Sequence, residues 1–283
     1  MKRVLVTGAA GRVGRAVLAM LDALDIAATG LDRIAPEHTT ADRMLVGDVA
    51  DPDLVRDAFD GVDGLIHLAA IPAPNLGTPE AVFGRNSLAT FVVLEAAGQA
   101  GVERAVFASS QSIYGLAFAP SPLAPIYVPI DAAHPLQVAD PYALSKQADE
   151  ATGEMIARRY GMTVVALRYP FLGGLGDRLP TMAEFYRDDP AKGARTLWAY
   201  LEDRDAARAA WLSLTEPLSG YHMFQVAAPE TLAPQPTRDL LDRFYPQVER
   251  RAELPGRAVP FDIAPAAELL GFRADHLYRP VPS

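Results

Sequence analysis

The chain has 283 residues, of which 50% are hydrophobic and 22% charged, and its net charge of −9 at pH 7 argues against a nucleic-acid partner, which needs a basic surface. The absence of cysteine excludes disulfides, a thiol nucleophile and thiolate metal sites, and the five histidines have no ligand-like spacing, so we expect no metal. No apolar run is long enough to cross a bilayer, so we expect no membrane partner.

The chain begins with a short predicted strand and then alternates strands with helices. Because Met1 is followed almost directly by this strand, we expect no signal peptide and a cytoplasmic protein. The predicted strands are residues 4–6, 26–32, 44–46, 65–68, 105–108 and 163–167. The predicted helices are residues 12–24, 52–59, 81–100 and 142–160. This alternation favours an α/β fold with a doubly wound parallel sheet of the Rossmann type, covered by helices on both faces.

The alternation fails in two places, which suggests the domain organisation. Residues 116–140 contain five prolines, so they form neither a regular helix nor a central strand, and we interpret them as a functional lid rather than a simple insertion. After residue 168 only short helices and one strand near residues 224–226 are predicted. We therefore expect a dinucleotide-binding domain over residues 1–168, which carries the catalytic residues, and a smaller substrate-binding lobe over residues 169–283.

The first strand ends at a turn with glycine at every third position. A strand, a turn and a helix in this order place backbone N–H groups and a helix N-terminus against a diphosphate. Gly8 permits the tight turn, Gly11 lets the backbone approach the phosphates, and Gly14 lets the helix pack close to the sheet. Arg12 and Val13 are also candidates for cofactor binding, although Arg12 either reaches a phosphate or is a solvated helix residue.

Further candidates for cofactor binding follow the next three strands. Asp32 ends the second strand, where a carboxylate accepts both ribose hydroxyls of an adenosine and repels a 2′-phosphate, so NAD is favoured. The adjacent Arg33 leaves NADP possible. Asp48 either binds the adenine amino group or serves only as a turn or capping residue. The other candidates are Val49, Leu68, Ala69 and Ala70.

Tyr142 and Lys146 lie four residues apart in a predicted helix, so their side chains share one face. A free tyrosine has a pKa near ~10, and a cationic neighbour favours its phenolate form. Alone, the pair is typical of an ordinary surface helix. With the glycine turn upstream, it predicts a nicotinamide-dependent enzyme in which a tyrosine moves protons.

These residues together resemble the extended short-chain dehydrogenase/reductase family, also called the NAD-dependent epimerase/dehydratase family. The motifs that carry the resemblance are residues 7–14, 47–49, 67–70, 85–86, 109–115 and 142–146. The resemblance implies that Tyr142 acts as base or acid on a substrate hydroxyl and that Lys146 also holds the nicotinamide ribose. It further implies that Ser110 holds the same substrate oxygen and that Asn86 lines the cofactor near the nicotinamide.

Departures from the family pattern narrow the expected function. Gln111 and Ser112 stand where sugar-nucleotide 4,6-dehydratases carry an Asp-Glu pair, which disfavours dehydration. Phe171 stands where asparagine is usual, and the segment after Arg168 is shorter than in nucleotide-sugar enzymes of the family. We therefore expect Gln111, Ser112 and Phe171, with Ser110, to contact a small substrate, as in the compact uronate dehydrogenases.

The sequence thus predicts an NAD(P)-dependent oxidoreductase that transfers a hydride at a secondary alcohol or carbonyl of a sugar-like molecule. One alternative is a sugar epimerase that retains its NAD. An alternative of another class is a dinucleotide-sensing module without turnover, although such modules generally lack the tyrosine–lysine pair.

Two predicted helices carry more apolar residues than the stripe that faces the sheet requires, which is relevant to the oligomeric state. The additional apolar residues are Phe91, Val92 and Leu94 on the first helix, and Met155 and Ile156 on the second. An apolar surface wider than the sheet-facing stripe must be covered by something. Because relatives of the family form a four-helix bundle from the matching helices, we predict a homodimer. The alternative is that the lid and the C-terminal lobe cover these residues within one chain.

Overall fold

The computed structural model of the chain describes residues 1–279. The strands are β1 (Arg3–Thr7), β2 (Ala27–Asp32), β3 (Arg43–Val46), β4 (Gly64–His67), β5 (Arg104–Ser110), β6 (Tyr127–Val128), β7 (Thr163–Tyr169), β8 (Phe171–Gly173), β9 (Tyr200–Glu202), β10 (Tyr221–Gln225) and β11 (Glu249–Arg250). The helices are α1 (Arg12–Ala23), α2 (Pro52–Ala58), α3 (Pro79–Gln99), α4 (Pro141–Tyr160), α5 (Arg178–Asp188), α6 (Ala191–Ala194), α7 (Asp203–Thr215), α8 (Thr237–Phe244) and α9 (Ala264–Leu269). Every strand and helix predicted in the first 168 residues is present.

Seven strands form one parallel sheet in the order β10-β7-β5-β4-β1-β2-β3. Strand β1 pairs with β2 on one side and with β4 on the other, so the strand order reverses direction beside β1. In open α/β sheets, ligands bind outside the carboxyl ends of the strands at such a reversal. The predicted doubly wound parallel sheet is therefore confirmed.

Helices cover both faces of this sheet, with α1 and α7 packed together on one face and α2, α3 and α4 on the other. Successive side chains of a strand point to opposite faces. Accordingly, Val4 and Val6 of β1 belong to the core beneath α1 and α7, while Leu5 belongs to the core beneath α3 and α4. A third core joins the lid to the C-terminal segments and is built around Trp198 and Tyr200.

The sheet continues beyond residue 168. Strand β10 pairs in parallel with β7, with Tyr221 opposite Val164, and α7 packs against α1. The strand expected near residues 224–226 in a separate lobe is therefore the edge strand of the main sheet. The division into residues 1–168 and 169–283 stays a prediction, and both parts contribute to the sheet and its helical cover.

The described residues 116–140 contain no helix and only one strand, β6, which pairs in parallel with β11. Ile130 pairs with Phe261 in an isolated bridge. The segment is also fastened to itself, because the Tyr127 hydroxyl donates a 2.6 Å hydrogen bond to Asp131. It is therefore tied to the C-terminal part of the chain.

The outer faces of α3 and α4 carry exposed apolar side chains, namely Phe83, Leu88 and Phe91 on α3 and Leu144 on α4. The expectation that Leu94 and Ile156 add to this surface is wrong, because both are fully buried in the core that α3 and α4 share with the sheet. Val92 and Met155 are partly buried against the same core. Within residues 1–279, none of the helices combines the length and the apolar character that a membrane span requires.

Candidate active site

A cavity of about 600 Å³ lies at the carboxyl ends of β1, β4, β5 and β7. The predicted site residues that line it are Gly8, Gly11, Arg12, Val13, Gly14, Leu68, Ala70, Ser110, Gln111, Ser112, Tyr142, Lys146 and Phe171. The predicted site residues outside its lining are Asp32, Arg33, Asp48, Val49, Ala69 and Asn86. Residues that are far apart in the chain therefore meet in one pocket at the reversal of strand order.

The glycine turn has the geometry that a diphosphate requires. Gly8 has φ +70°, and a Cβ there would lie 2.8 Å from the backbone of Leu68 and Ala69. A Cβ on Gly14 would overlap the carbonyl oxygen of Gly8. Helix α1 has no side-chain cap at Gly11 and no acidic residue in its first turn. The N–H groups and positive end of this helix therefore fit a bound anion.

Asp32, at the carboxyl end of β2, contacts the glycine turn. Its Oδ2 accepts a 2.9 Å hydrogen bond from the N–H of Ala10, and its Oδ1 accepts one of 3.1 Å from Ile34. The neighbouring Arg33 is exposed. Asp32 therefore holds the glycine turn through its carboxylate, outside the lining of the cavity.

Three of the residues outside the lining contact other parts of the fold. Asp48 faces Arg85, with 3.6 Å between Oδ2 and the guanidinium, and the adjacent Val49 is buried in the core. The buried Asn86 accepts a hydrogen bond from Ile71 N–H at 2.8 Å and donates one to Ser145 Oγ at 3.1 Å. Asn86 thereby joins the segment after β4 to Ser145 of α4, the residue directly before Lys146.

The position of Tyr142 follows from the start of α4. Asp140 caps this helix by accepting 2.9 Å hydrogen bonds from the N–H groups of Tyr142 and Ala143, and Pro141 occupies the first helical position. Lys146 lies one turn later, with Nζ 5.8 Å from the centroid of the Tyr142 ring. The ring of Phe118, from the lid, packs edge-on against Tyr142 at 6.0 Å.

Lys146 is buried and paired with an acid that the sequence analysis missed. Its Nζ donates to the carbonyl of Ala108 at 2.8 Å and to Asp149 Oδ2 at 3.1 Å, and both charged side chains are buried. Burial alone would lower the pKa of Lys146, but Asp149 and Tyr142 leave that pKa above its ordinary value. Burial also raises the pKa of Asp149, against the attraction of Lys146. The pairing keeps Lys146 protonated at neutral pH.

A second set of buried polar groups lies beneath Lys146. His67 is within 2.6 Å of Thr7 Oγ1 through Nδ1 and within 3.3 Å of Thr90 Oγ1 through Nε2. Thr7 Oγ1 also accepts a hydrogen bond from Ala69 N–H at 3.4 Å. Burial, with the nearby positive charge of Lys146, lowers the pKa of His67 to about 3, so the imidazole is neutral. This neutral histidine joins the ends of β1 and β4 to α3.

The turn that carries Ser110 is held by a buried ion pair. Arg168 donates to both carboxylate oxygens of Glu150, at 2.8 and 2.6 Å, and to the hydroxyl of Tyr114 at 2.7 Å. The neighbouring Ser109 donates to the same carboxylate at 2.6 Å. These contacts fix the carboxyl ends of β5 and β7 against α4.

Ser110 and Gln111 differ in the hydrogen bonds that their side chains make within the chain. Ser110 Oγ accepts a 3.1 Å hydrogen bond from Ser112 N–H, and its hydroxyl donates to no group among residues 1–279. Gln111 Nε2 is buried and has no hydrogen-bond partner within residues 1–279. A buried amide donor without a partner costs free energy, so this one is suited to a bound ligand.

Two arginines complete the pocket on the side of Phe171. The guanidinium of Arg178 lies 4.6 Å over the ring of Phe171, and Arg195 donates a 2.7 Å hydrogen bond to the carbonyl of Ala119 in the lid. Sequence reasoning missed both, because Arg178 at the start of α5 and Arg195 directly after α6 belong to no recognisable motif. Arg12, on the opposite side, is paired with Asp177 at 2.6 Å and Asp203 at 3.1 Å, rather than solvated.

The arrangement is suited to proton transfer next to a dinucleotide. A tyrosine, a protonated lysine and a serine share the pocket with a phosphate-binding turn. Within residues 1–279, no group of three or more histidine, aspartate or glutamate side chains is arranged to hold a metal ion.

Comparison with known proteins gives matches over most of the chain. The model of the NAD dependent epimerase/dehydratase family matches residues 4–227. The L-arabinose 1-dehydrogenase (NAD(P)(+)) of Haloferax volcanii is 34% identical over 203 residues, which cover 70% of this chain and 77% of that enzyme. The uronate dehydrogenase of Pseudomonas syringae pv. tomato is 30% identical over 169 residues, which cover 59% of this chain and 58% of that enzyme.

Solved structures match over almost the whole chain. A short-chain dehydrogenase/reductase superfamily protein from Agrobacterium tumefaciens with bound NAD has a TM-score of 0.73 at 26% identity, over 96% of this chain and 92% of that one. MoeE5 in complex with UDP-glucose and NAD has a TM-score of 0.71 at 24% identity, over 96% and 93% of the two chains. The second likeness concerns the fold alone.

Proposed function

The chain belongs to the NAD-dependent epimerase/dehydratase family and is an NAD(P)-dependent enzyme, and we propose that it transfers a hydride at a secondary alcohol or carbonyl of a sugar-like molecule. The observation that carries this proposal is that Ser110, Tyr142 and Lys146 line the same cavity as the glycine turn. A proton carrier, a fixed positive charge and a hydroxyl thus lie together beside the dinucleotide site.

The proposed mechanism divides the work between cofactor and protein. A bound nicotinamide supplies the hydride acceptor or donor. Tyr142 takes the proton from the substrate hydroxyl during oxidation and returns it during reduction. Lys146 places a fixed positive charge 5.8 Å from the centroid of the Tyr142 ring, and Ser110 hydrogen-bonds the same substrate oxygen. Gln111, Ser112 and Phe171 contact the rest of the substrate.

Three contacts of the described residues support these roles. Asp149 and the carbonyl of Ala108 hold the ammonium of Lys146 in place, because each contacts Nζ within about 3 Å. The lid residue Phe118 covers one edge of Tyr142, which keeps water from the proton carrier.

For the cofactor we infer a preference for NAD over NADP. The uncapped end of α1 and the glycine turn support diphosphate binding, with Arg12 and Val13 at the first helical positions. Asp32 contacts that turn, so its negative charge would repel a 2′-phosphate. We assign Arg33, Asp48, Val49, Leu68, Ala69, Ala70 and Asn86 to the rim and support of the same cofactor site.

A second candidate is a sugar epimerase that retains its NAD. The observation that favours it is the pair of ion pairs that Arg12 forms with Asp177 and Asp203, which joins the C-terminal part of the chain to the helix that follows the glycine turn. These ion pairs would slow the exchange of a bound dinucleotide. Steady production of free NADH during turnover would exclude the epimerase, whereas conversion of one sugar to another without added cofactor would favour it.

We also infer a homodimer formed through α3 and α4. The exposed residues Phe83, Leu88, Phe91 and Leu144 support it, because exposed apolar side chains on adjacent helices gain stability when a partner covers them. A cytoplasmic location, without nucleic-acid or membrane partners, belongs to the same proposal and rests on the sequence alone.

The proposal is tested with Tyr142→Phe, which removes the proton carrier but little volume. We expect kcat to fall by about 10²- to 10⁴-fold, while the affinity for NAD, measured by titration, stays within a factor of about two of the wild-type value. Tyr160→Phe, at the other end of α4, is the matched control and should leave kcat unchanged. If Tyr142→Phe retains wild-type turnover, Tyr142 is not the proton carrier; if neither the wild type nor the variant turns over any sugar, the protein is better explained as a dinucleotide-binding module without catalysis.

A further inference from the structure

The charges that line the cavity have one sign. The lining includes four basic residues, Arg12, Lys146, Arg178 and Arg195, and none of its described residues is an aspartate or a glutamate. This contrasts with the net charge of −9 for the whole chain. A cleft lined by charges of one sign concentrates ligands of the opposite sign, so this cavity favours the entry of anionic ligands.

Two of these four charges are already neutralised within the chain. Arg12 lies between the carboxylates of Asp177 and Asp203, and Lys146 is paired with the buried Asp149. Arg178 and Arg195 differ, since within residues 1–279 neither has a carboxylate within ion-pair distance. Two positive charges in the lining are therefore left to be matched by a ligand.

The side chains of these two arginines are held without using up their donors. The guanidinium of Arg178 lies 4.6 Å over the ring of Phe171, a contact that uses none of its N–H donors. Arg195 commits one nitrogen to the carbonyl of Ala119, which ties it to the lid. A guanidinium held in this way presents the remaining N–H groups in a fixed fork that matches a carboxylate or a phosphoryl group.

From this we propose that the substrate is an anionic sugar derivative, whose terminal oxyanion is bound by Arg195 and Arg178 while its reacting hydroxyl faces Tyr142. This inference rests on the proposed function and adds the class of its substrate. A carboxylate on a uronate and a phosphoryl group on a sugar phosphate share the required chemistry. A neutral pentose or hexose does not, because it would leave both guanidinium groups unpaired.

The test compares NAD reduction with four sugars, D-galacturonate, D-glucose 6-phosphate, D-galactose and L-arabinose. We expect one of the two anionic sugars to have a kcat/KM at least about tenfold above that of either neutral sugar. Which anionic sugar is preferred distinguishes a carboxylate from a phosphoryl group. A neutral sugar with the highest kcat/KM overturns the inference but leaves the proposed hydride transfer intact.

Charge-neutral variants identify the residues. Arg195→Gln and Arg178→Gln should each lower kcat/KM for the anionic sugar by about 10- to 100-fold, mainly through KM, because each removes a charge-assisted hydrogen bond. Arg187→Gln is the matched control, since it removes one positive charge from the exposed part of α5. Loss of NAD affinity instead of sugar affinity would place the arginines at the cofactor phosphates and overturn the inference.

A measurement without variants keeps the inference testable if these substitutions prevent folding. Inorganic phosphate and acetate, added to the wild-type enzyme, should compete with the sugar and not with NAD. In the presence of NADH, the anionic sugar should raise the melting temperature more than D-galactose at equal concentration. Equal shifts, with no competition by either anion, would contradict the inference. If no sugar is turned over and Tyr142→Phe changes nothing, the proposed function itself fails.

Discussion

Replacement of Asp149 by asparagine is expected to destabilise the fold and to change the pH dependence of activity. Asp149 Oδ2 lies 3.1 Å from Lys146 Nζ, and the two side chains are 0% and 4% exposed. Asparagine has nearly the same volume, but it leaves a buried ammonium whose hydrogen-bond acceptors, the carbonyl of Ala108 and the amide oxygen itself, carry no negative charge. Removing one member of a buried ion pair in this way costs about 3–5 kcal/mol.

The sign of the pH dependence follows from the pKa of Lys146. In the folded protein this pKa lies above its ordinary value of 10.5, so the stabilisation it gives is present below that pH and is lost as the pH rises through the raised pKa. In Asp149→Asn the counter-charge is gone, and burial then favours the neutral amine. Lys146 should therefore lose its proton at lower pH, and kcat should fall in the alkaline range where the wild type is still active.

The assay combines urea unfolding at neutral and alkaline pH with a pH profile of kcat/KM. Glu154→Gln on the same helix is the control, because it breaks an exposed pair with Arg158 that is worth about 0–1 kcal/mol. Lys146→Met combined with Asp149→Leu should recover most of the lost stability without activity, since an apolar pair of similar volume replaces both charges. An Asp149→Asn protein within about 1 kcal/mol of the wild type, with an unshifted pH profile, would refute the reasoning.

Three other predictions follow from separate residues. The pKa of His67 is lowered to about 3 from 6.5, so the unfolded chain binds more protons than the folded protein between these two pH values. The free energy of unfolding should therefore fall by roughly 1.4 kcal/mol for each pH unit below 6.5. Urea unfolding of His67→Asn should show a flatter pH dependence. Asp32→Ala should weaken NAD binding by about 1.5–3 kcal/mol and raise the kcat/KM ratio of NADP to NAD, and a wild type that prefers NADP would contradict the assignment. Phe91→Glu should give monomers by light scattering while Phe185→Glu, equally exposed on α5, should not, and a monomeric wild type at micromolar concentration would end the dimer proposal.

The elements that could be predicted from the sequence are those whose cause is local. Asp140 and Pro141 fix the start of α4, and through it the first turn that carries Tyr142. Gly8 and Gly14 are required because a Cβ at either position meets backbone atoms of the turn or of the adjoining strand segment. A short sequence contains all the information for such features, so they can be recognised without knowledge of the rest of the fold.

Other features depend on contacts between distant segments, and here local pattern gave the wrong or an incomplete result. Residues 221–225 form a strand that joins the main sheet, but no local periodicity says which sheet edge it will pair with. Leu94 and Ile156 look like surplus apolar residues on a single helix. They are buried because α3 and α4 lie side by side on the sheet and share one core.

Asp149 illustrates the same limit within the site. Three residues after Lys146 on a helix, an aspartate has the spacing of an ordinary surface ion pair. Its chemical importance comes from complete burial, which is set by the packing of α4 against α3 and the sheet. Spacing identified the partner of Tyr142, whereas only the tertiary structure identifies the partner of Lys146.

The part of the cavity proposed to bind the cofactor and the part proposed to bind the substrate therefore depend on the sequence in different ways. The cofactor half uses backbone N–H groups, a helix end and glycines, which a single strand–turn–helix segment supplies. The proposed substrate half combines Gln111, Phe171, Arg178 and Arg195, which come from the residue after β5, from β8, from the start of α5 and from the residue after α6, with Arg195 hydrogen-bonded to the lid. Side chains from separate segments can change without disturbing the sheet or the phosphate-binding turn. It follows that relatives with the same cofactor motifs can act on different sugars, and that the substrate of this chain is better inferred from its residues 171–196 than from its glycine turn.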